Sequence, residues 1–206
     1  KKQIQPVPIE AMTKGQTTLL LDSKGKCWSC DLVIACDGAN SRLRKHAGLY
    51  VIDQSRDETA LVTTIRTERP IRTTAYQRFL PTGPLALMPT GTKRASVVWS
   101  LPDSQAETLS RQDENTVSEA LNAAFGADLG RLTLESDCLT WPLKPSFCPR
   151  ISKPGFILAG DAAHALHPLA GMGFNLALAD AAVLLDCLQN AASRGLNPAH
   201  ASVSTS

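Results

Sequence analysis

Two short apolar runs, far apart in the chain, constrain its fold more than any other feature. Leu32-Val33-Ile34-Ala35-Cys36 ends at Asp37-Gly38, and Phe156-Ile157-Leu158-Ala159 ends at Gly160-Asp161. A continuous apolar run of this length, rather than an alternating one, marks a strand buried on both faces, as in a parallel sheet. A helical segment follows the second run, from about Asn175 to Ala192, with Leu176, Val183, Leu184 and Leu188 within it. A β/α layer is therefore expected at both ends of the chain.

The stretch between has another character. Leu61 to Thr67 and Arg94 to Ser100 are rich in β-branched residues, and Pro81, Gly83, Pro84, Pro89 and Gly91 punctuate the chain between them. This pattern predicts a twisted antiparallel sheet with one exposed face. Asp103 to Phe125 is polar and helix-prone, with Val117, Ala120, Leu121 and Ala124 at helical spacing; residues 132–141 predict one more strand. Pro142, Pro145, Pro149 and Pro154 predict a stiff linker. Ahead of all this, residues 16–31 read as a hairpin turning at Asp22-Ser23-Lys24-Gly25. The tail from Asn197 is expected to fray. The fold class is thus α/β, α+β overall: a partial Rossmann-like layer plus an antiparallel-sheet domain. The expected segments are 1–48, 49–149 and 150–206.

Composition excludes several functions. A net charge of +2 over 206 residues offers no basic field for nucleic acid, and 5% aromatics offer few stacking platforms. No apolar run approaches the roughly 20 residues of a membrane helix, and no signal peptide is visible. The opening Lys1-Lys2-Gln3-Ile4 lacks an initiator Met, which leads us to expect an internal fragment. The six cysteines lie in apolar stretches and read as buried free thiols of a reducing compartment. Cys27-Trp28-Ser29-Cys30 has redox or zinc spacing, but it sits in a strand-like run without further ligands and reads as coincidence.

The chemistry concentrates in Gly160-Asp161-Ala162-Ala163-His164-Ala165-Leu166-His167-Pro168-Leu169-Ala170-Gly171-Met172-Gly173-Phe174-Asn175. An Asp directly after a buried strand sits at the carboxyl edge of the sheet, where α/β folds bind ligands. Its carboxylate can accept hydrogen bonds from sugar or polyol hydroxyls. Gly171 and Gly173 let the backbone approach a flat ligand. The helix that follows turns free N–H groups and its positive end toward that ligand, favouring one that becomes anionic. His164 and His167 lack a third ligand at metal-site spacing, so no metal is expected.

This segment resembles the Gly-Asp motif of class A FAD-dependent monooxygenases, and Asp37-Gly38-Ala39-Asn40-Ser41-Arg42-Leu43-Arg44 resembles their Asp-Gly motif. Arg78-Phe79, then Gly83-Pro84-Leu85-Ala86-Leu87-Met88-Pro89 and Val98-Trp99, are similar to the middle of the ubiquinone-biosynthesis hydroxylases. The resemblance covers roughly residues 16–190. It implies that Asp161 binds the FAD ribityl chain and that Gly160, Pro168, Gly171, Gly173, Phe174 and Asn175 border the flavin. It places Asp37, Gly38, Ser41 and Arg44 near the pyrophosphate and the transient NAD(P)H path. The implied reaction is hydroxylation of a phenolic ring, with a polyprenylated substrate, a cytoplasmic setting and peripheral contact with the inner membrane. No motif supplies a catalytic acid or base.

The chain departs from the family in three ways. Met172 stands where these hydroxylases usually carry Gln, and Ala179 where Arg is common. No Gly-x-Gly-x-x-Gly loop occurs in residues 1–206. The chain by itself is therefore expected to hold FAD weakly at best and to self-associate through an open strand edge. A related flavin-dependent reductase or halogenase, or a non-catalytic substrate-domain fragment without flavin, are the alternatives.

Overall fold

A computed structural model of the chain describes residues 9–14, 18–168 and 171–197. The first elements are β1 (Ile9–Lys14), β2 (Thr18–Asp22) and β3 (Cys27–Cys30), an antiparallel sheet in that order. β2 and β3 form the expected hairpin, with Leu20 opposite Trp28; residues 16 and 17 lie outside the described residues. Its turn is organised by Asp22, whose carboxylate accepts the Lys24 and Lys26 amides at 2.9 Å and the Trp28 indole N–H at 3.0 Å. Cys27 and Cys30 are three apart on one strand and so point to opposite faces. All six cysteines are free thiols, and only Cys148 is buried. The expectation of uniformly buried thiols is corrected: Cys27 and Cys36 are exposed.

Next come β4 (Val33–Ala35), the short α1 (Arg42–His46) and β5 (Ile52–Asp53). The middle of the chain forms β6 (Glu58–Thr67), β7 (Tyr76–Leu80), β8 (Gly83–Gly91) and β9 (Arg94–Pro102). It continues with α2 (Asp103–Ser110), α3 (Glu114–Phe125), β10 (Leu132–Leu134) and β11 (Leu139–Leu143). The remainder is β12 (Ser146–Phe147), β13 (Ser152–Lys153), β14 (Phe156–Leu158), a 3-10 turn at Gly160–Ala162, β15 (His164–Ala165) and α4 (Met172–Ser193).

These elements divide into two compact units. One takes the chain as far as Gln54 and again from Pro145; the other is Ser55–Lys144. Residues 49–54 and 145–149 fall in the first unit because β12 pairs with both β5 and β15, and Gln54 N–H donates to the Pro145 carbonyl at 2.8 Å.

In the first unit β4 and β14 are parallel neighbours, with Val33 opposite Phe156 and Ala35 opposite Leu158. Val33, Ala35, Phe156 and Leu158 pack with Ala47, Leu49, Cys148, Ala162 and Ala163 into one core. Burial on both faces does not hold, because Ile34 is 43% exposed. α4, expected from about residue 175 to 192, begins earlier, at Met172. It is long and apolar enough, by length and composition alone, to cross a membrane. That corrects the expectation that no such run exists, although Asp180 and Asp186 interrupt its apolar surface.

The second unit is an antiparallel sheet ordered β10-β6-β9-β8-β7, with β11 also on β6. Leu61, Ile65, Leu85, Leu87, Val97 and Trp99 project from one face against Val117, Leu121 and Phe125 of α3. The expected single helix over 103–125 is two, because Asp113 caps α3 by accepting the Asn115 and Thr116 amides at 3.0 and 3.1 Å. The single strand expected over 132–141 is also two, both hydrogen-bonded to β6. The proline-rich stretch 142–154 is less a linker than a series of short strands. Pro84 and Pro89 are accommodated inside β8, the second beside a bulge, where a missing N–H costs least.

Candidate functional site

Parallel pairing of β4 with β14 brings their carboxyl ends to one edge of the sheet. The turns that leave this edge, Asp37-Gly38 and Gly160-Asp161, face a common cavity of about 630 Å³. Gly38, Gly160, Asp161, Gly173 and Phe174 line it, together with Ile34, Cys36, Ala159 and the Ala177, Ala181, Leu184, Leu185 and Leu188 side of α4. Its wall is apolar apart from Asp161. That carboxylate is exposed and has no hydrogen-bond partner among the described residues, so it is available to a ligand's hydroxyls.

Asp37, Ser41 and Arg44 do not line the cavity; they build the turn beneath it. Asp37 accepts the Ser41 hydroxyl at 2.5 Å and the Arg42 and Leu43 amides at 2.8 and 3.2 Å. Ser41, fully buried, caps α1 by accepting the Arg44 amide at 2.9 Å. The Arg44 guanidinium, 4% exposed, donates to the Ala39 and Ala162 carbonyls, each at 2.7 Å. It thereby ties the loop after β4 to the loop after β14, residues far apart in sequence. Gly38 has φ +82 and Gly160 φ +59, conformations that glycine adopts without strain.

A further carboxylate, not singled out by the sequence motifs, fixes the second loop. Asp180 of α4 accepts the Gly160 amide at 2.7 Å and meets His164 Nε2 at 2.7 Å. The signal was present as the first acidic residue of an apolar helix. Its two partners become visible only once α4 lies against the turn. α4 itself starts from Gly171 at φ +64, a residue without a side chain to cap the helix. An added Cβ on Gly173 would lie 3.9 Å from the Asp161 carboxylate, so the helix start and that carboxylate share one wall. Pro168, Gly171 and Asn175 are exposed and do not line the cavity.

Cys36 lines the cavity as a thiol rather than a thiolate. Partial desolvation first, then the carboxylates of Asp37 and Asp180, push its titration above the ordinary range. It is a poor nucleophile there. Among the described residues no group of three or more His, Cys, Asp or Glu side chains could hold a metal ion.

This arrangement of a parallel pair, two acidic-glycine turns and a helix led by glycine is that of a flavin-binding fold, and residues 9–197 match the FAD binding domain family model. The chain belongs to that family. It is 34% identical to the ubiquinone hydroxylase UbiL of Rhodospirillum rubrum, over 85% of this chain and 41% of that one. It is 33% identical to the 3-demethoxyubiquinol 3-hydroxylase of Escherichia coli, over 83% of this chain and 44% of that one. The chain therefore spans less than half the length of these relatives. Among solved structures, pqsL, a probable FAD-dependent monooxygenase from Pseudomonas aeruginosa, superimposes with a TM-score of 0.75 at 23% identity, covering 95% of this chain and 57% of that one. The flavin-dependent halogenase CmlS does so with a TM-score of 0.74 at 18% identity, covering 92% and 36%. These two show the fold.

Proposed function

We propose that these residues form the ribityl- and flavin-contacting part of an FAD-dependent monooxygenase that hydroxylates a phenolic ring, using NAD(P)H and O₂. One observation carries the reading: the unpartnered Asp161 carboxylate in an otherwise apolar cavity, at the carboxyl edge of a parallel strand pair. Asp161 would accept from ribityl hydroxyls. Gly160, Gly173 and Phe174 would border the flavin, with Pro168, Gly171 and Asn175 in the adjoining loop and helix start. Gly38 would lie toward the pyrophosphate and the nicotinamide path, its turn held by Asp37, Ser41 and Arg44. When bound, the flavin would supply the redox chemistry of the hydroxylation. The protein's part is to bind, orient and exclude water.

A polyprenylated phenol is the substrate we infer, on the names of the relatives. The open sheet face of the second unit suits such a molecule, with Phe79, Leu139 and Trp141 at 77%, 69% and 73% exposure. A substrate of this kind implies a cytoplasmic enzyme in peripheral contact with the inner membrane, and self-association is compatible with β4 lying at the end of its sheet among the described strands. The halogenase likeness keeps one alternative, a different oxygen chemistry on the same scaffold, and product analysis with a phenol and NADPH separates the two.

The test of the site is Asp161→Ala in the intact enzyme. Loss of a charge-assisted hydrogen bond is worth about 1.5–3 kcal/mol, so FAD affinity should fall roughly ten- to a hundredfold by titration of the apoprotein. Unchanged affinity removes Asp161 from the site.

A further inference from the structure

The segment that carries Asp161 is tied down on both sides of it. Ahead of it, the Ala159 amide donates to the Ala35 carbonyl at 3.0 Å. After it, the Ala162 carbonyl accepts from Arg44 and the Ala163 carbonyl accepts the Cys148 amide, each at 2.7 Å. Between these ties runs the 3-10 turn Gly160–Ala162, closed by the Ala163 amide on the Gly160 carbonyl at 2.8 Å. The Asp161 carboxylate takes part in none of these bonds, and Asp161 lines the cavity.

One side chain spans the turn. Asp180 Oδ2, on α4, accepts the Gly160 amide and meets His164 Nε2, both at 2.7 Å. A single oxygen therefore holds the residue just before Asp161 and the third residue after it. The Asp180 and His164 side chains are each 20% exposed, so water competes little for these contacts. Ala177 lies one turn earlier on the same side of α4, and a Cβ added to Gly160 would lie 3.4 Å from its Cβ. That contact limits how closely the turn approaches the helix, and the Asp180 bond limits how far it withdraws. Asp180 itself does not line the cavity.

We propose, on the reading of this cavity as the flavin site, that Asp180 is a positioning residue for the cofactor. It holds the segment from Gly160 to His164 so that the Asp161 carboxylate is preset for the ribityl hydroxyls. A carboxylate on a loose turn is ordered only as its ligand arrives, and that cost is taken from the affinity. Without Asp180 the part-buried Gly160 amide must find another acceptor, and Asp161 is the next residue along the chain. Because Asp180 acts through Asp161, its contribution to binding is bounded by that of Asp161 itself.

The test is a double-mutant cycle in the intact enzyme, read by FAD titration of the apoproteins and by their thermal unfolding. Asp180→Ala should weaken FAD binding about three- to tenfold when Asp161 is present. In the Asp161→Ala background the same change should cost less than about twofold, because the residue it positions is gone. Asp180→Asn, which keeps an oxygen for the Gly160 amide, should regain part of the affinity. No regain would place the effect in the charge rather than in the hold on the turn, and would overturn the proposal. Should Asp180→Ala fail to fold, Asp180→Glu carries the same cycle, since it keeps the charge and moves the oxygen by one methylene. Equal losses in both backgrounds overturn the proposal, as does a lowered apo melting point with FAD affinity unchanged. An Asp161→Ala variant with unaltered FAD affinity removes the flavin reading itself, and the positioning role with it.

Discussion

Arg44 shows how a residue can be legible in sequence while its work is not. Asp37, Ser41 and Arg44 match key positions of the Asp-Gly motif, and that resemblance sets them beside a ligand. In the structure their hydrogen bonds run to the protein: Asp37 and Ser41 to the start of α1, Arg44 to the Ala39 and Ala162 carbonyls. Spacing alone cannot say whether a carboxylate faces its own helix or a guest, because both need the same oxygen at the same turn. Arg44→Met keeps the stem and removes the fork. Two carbonyls then lose charge-assisted donors worth roughly 1.5–3 kcal/mol each, with partial recovery from water or local relaxation. The expected loss of unfolding free energy is about 2–4 kcal/mol by urea titration. Arg44→Lys should recover little of it, since one ammonium does not reproduce a planar fork. A loss well under 1 kcal/mol would show that the two loops hold together without the brace.

At the scale of elements, strand and helix were told apart correctly wherever packing and local propensity agree, although the two-sided burial expected of β4 fails at Ile34. β4, β14, α4 and the β6–β9 pair are such cases. The reading failed where a single polar residue sets a boundary. Gln112-Asp113-Glu114 looks like helix surface, yet α2 has already ended at Ser110 and Asp113 starts α3 by turning its side chain onto the backbone. Prolines misled in the same way, since β8 carries two and remains a strand. The Asp113 cap leads to a pH prediction. The Thr116 hydroxyl, at 2.7 Å, and then the Thr116 amide hold its carboxyl below the ordinary aspartate range. A folded value that is depressed gives stabilisation present in full above the ordinary value, near about 3.9. That stabilisation is lost as pH falls through the lowered one. Asp113→Asn, which still caps, should flatten this acid limb of the stability profile and change the neutral-pH midpoint little. Asp113→Ala should lower the midpoint at neutral pH. An unaltered acid limb in the Asn variant would mean that another carboxylate governs it.

Over the whole chain, one β/α layer built from both ends, with an antiparallel module between them, was legible in the sequence. What composition could not show is that β4 and β14, separated by the entire middle module, become neighbours; that follows only from their pairing. The same connectivity makes the middle module separable. Its core, from Leu61 through Leu134, belongs to the module alone. Its first strand also pairs with its last, Glu58 opposite Leu143, so both ends of Ser55–Lys144 leave from adjacent strands. Excision therefore breaks no strand of this sheet and strands no chain end inside it, the condition under which a domain folds alone. We expect Ser55–Lys144, expressed alone, to unfold in one cooperative calorimetric transition and to give dispersed amide resonances. Phe79, Leu139 and Trp141 lie on its surface already, so some self-association at high concentration is expected as well. Retained far-ultraviolet ellipticity with no near-ultraviolet signal and strong dye binding would instead mark a molten state. In that event the module would owe its packing to the rest of the chain, and the division into two units would hold for contacts but not for folding.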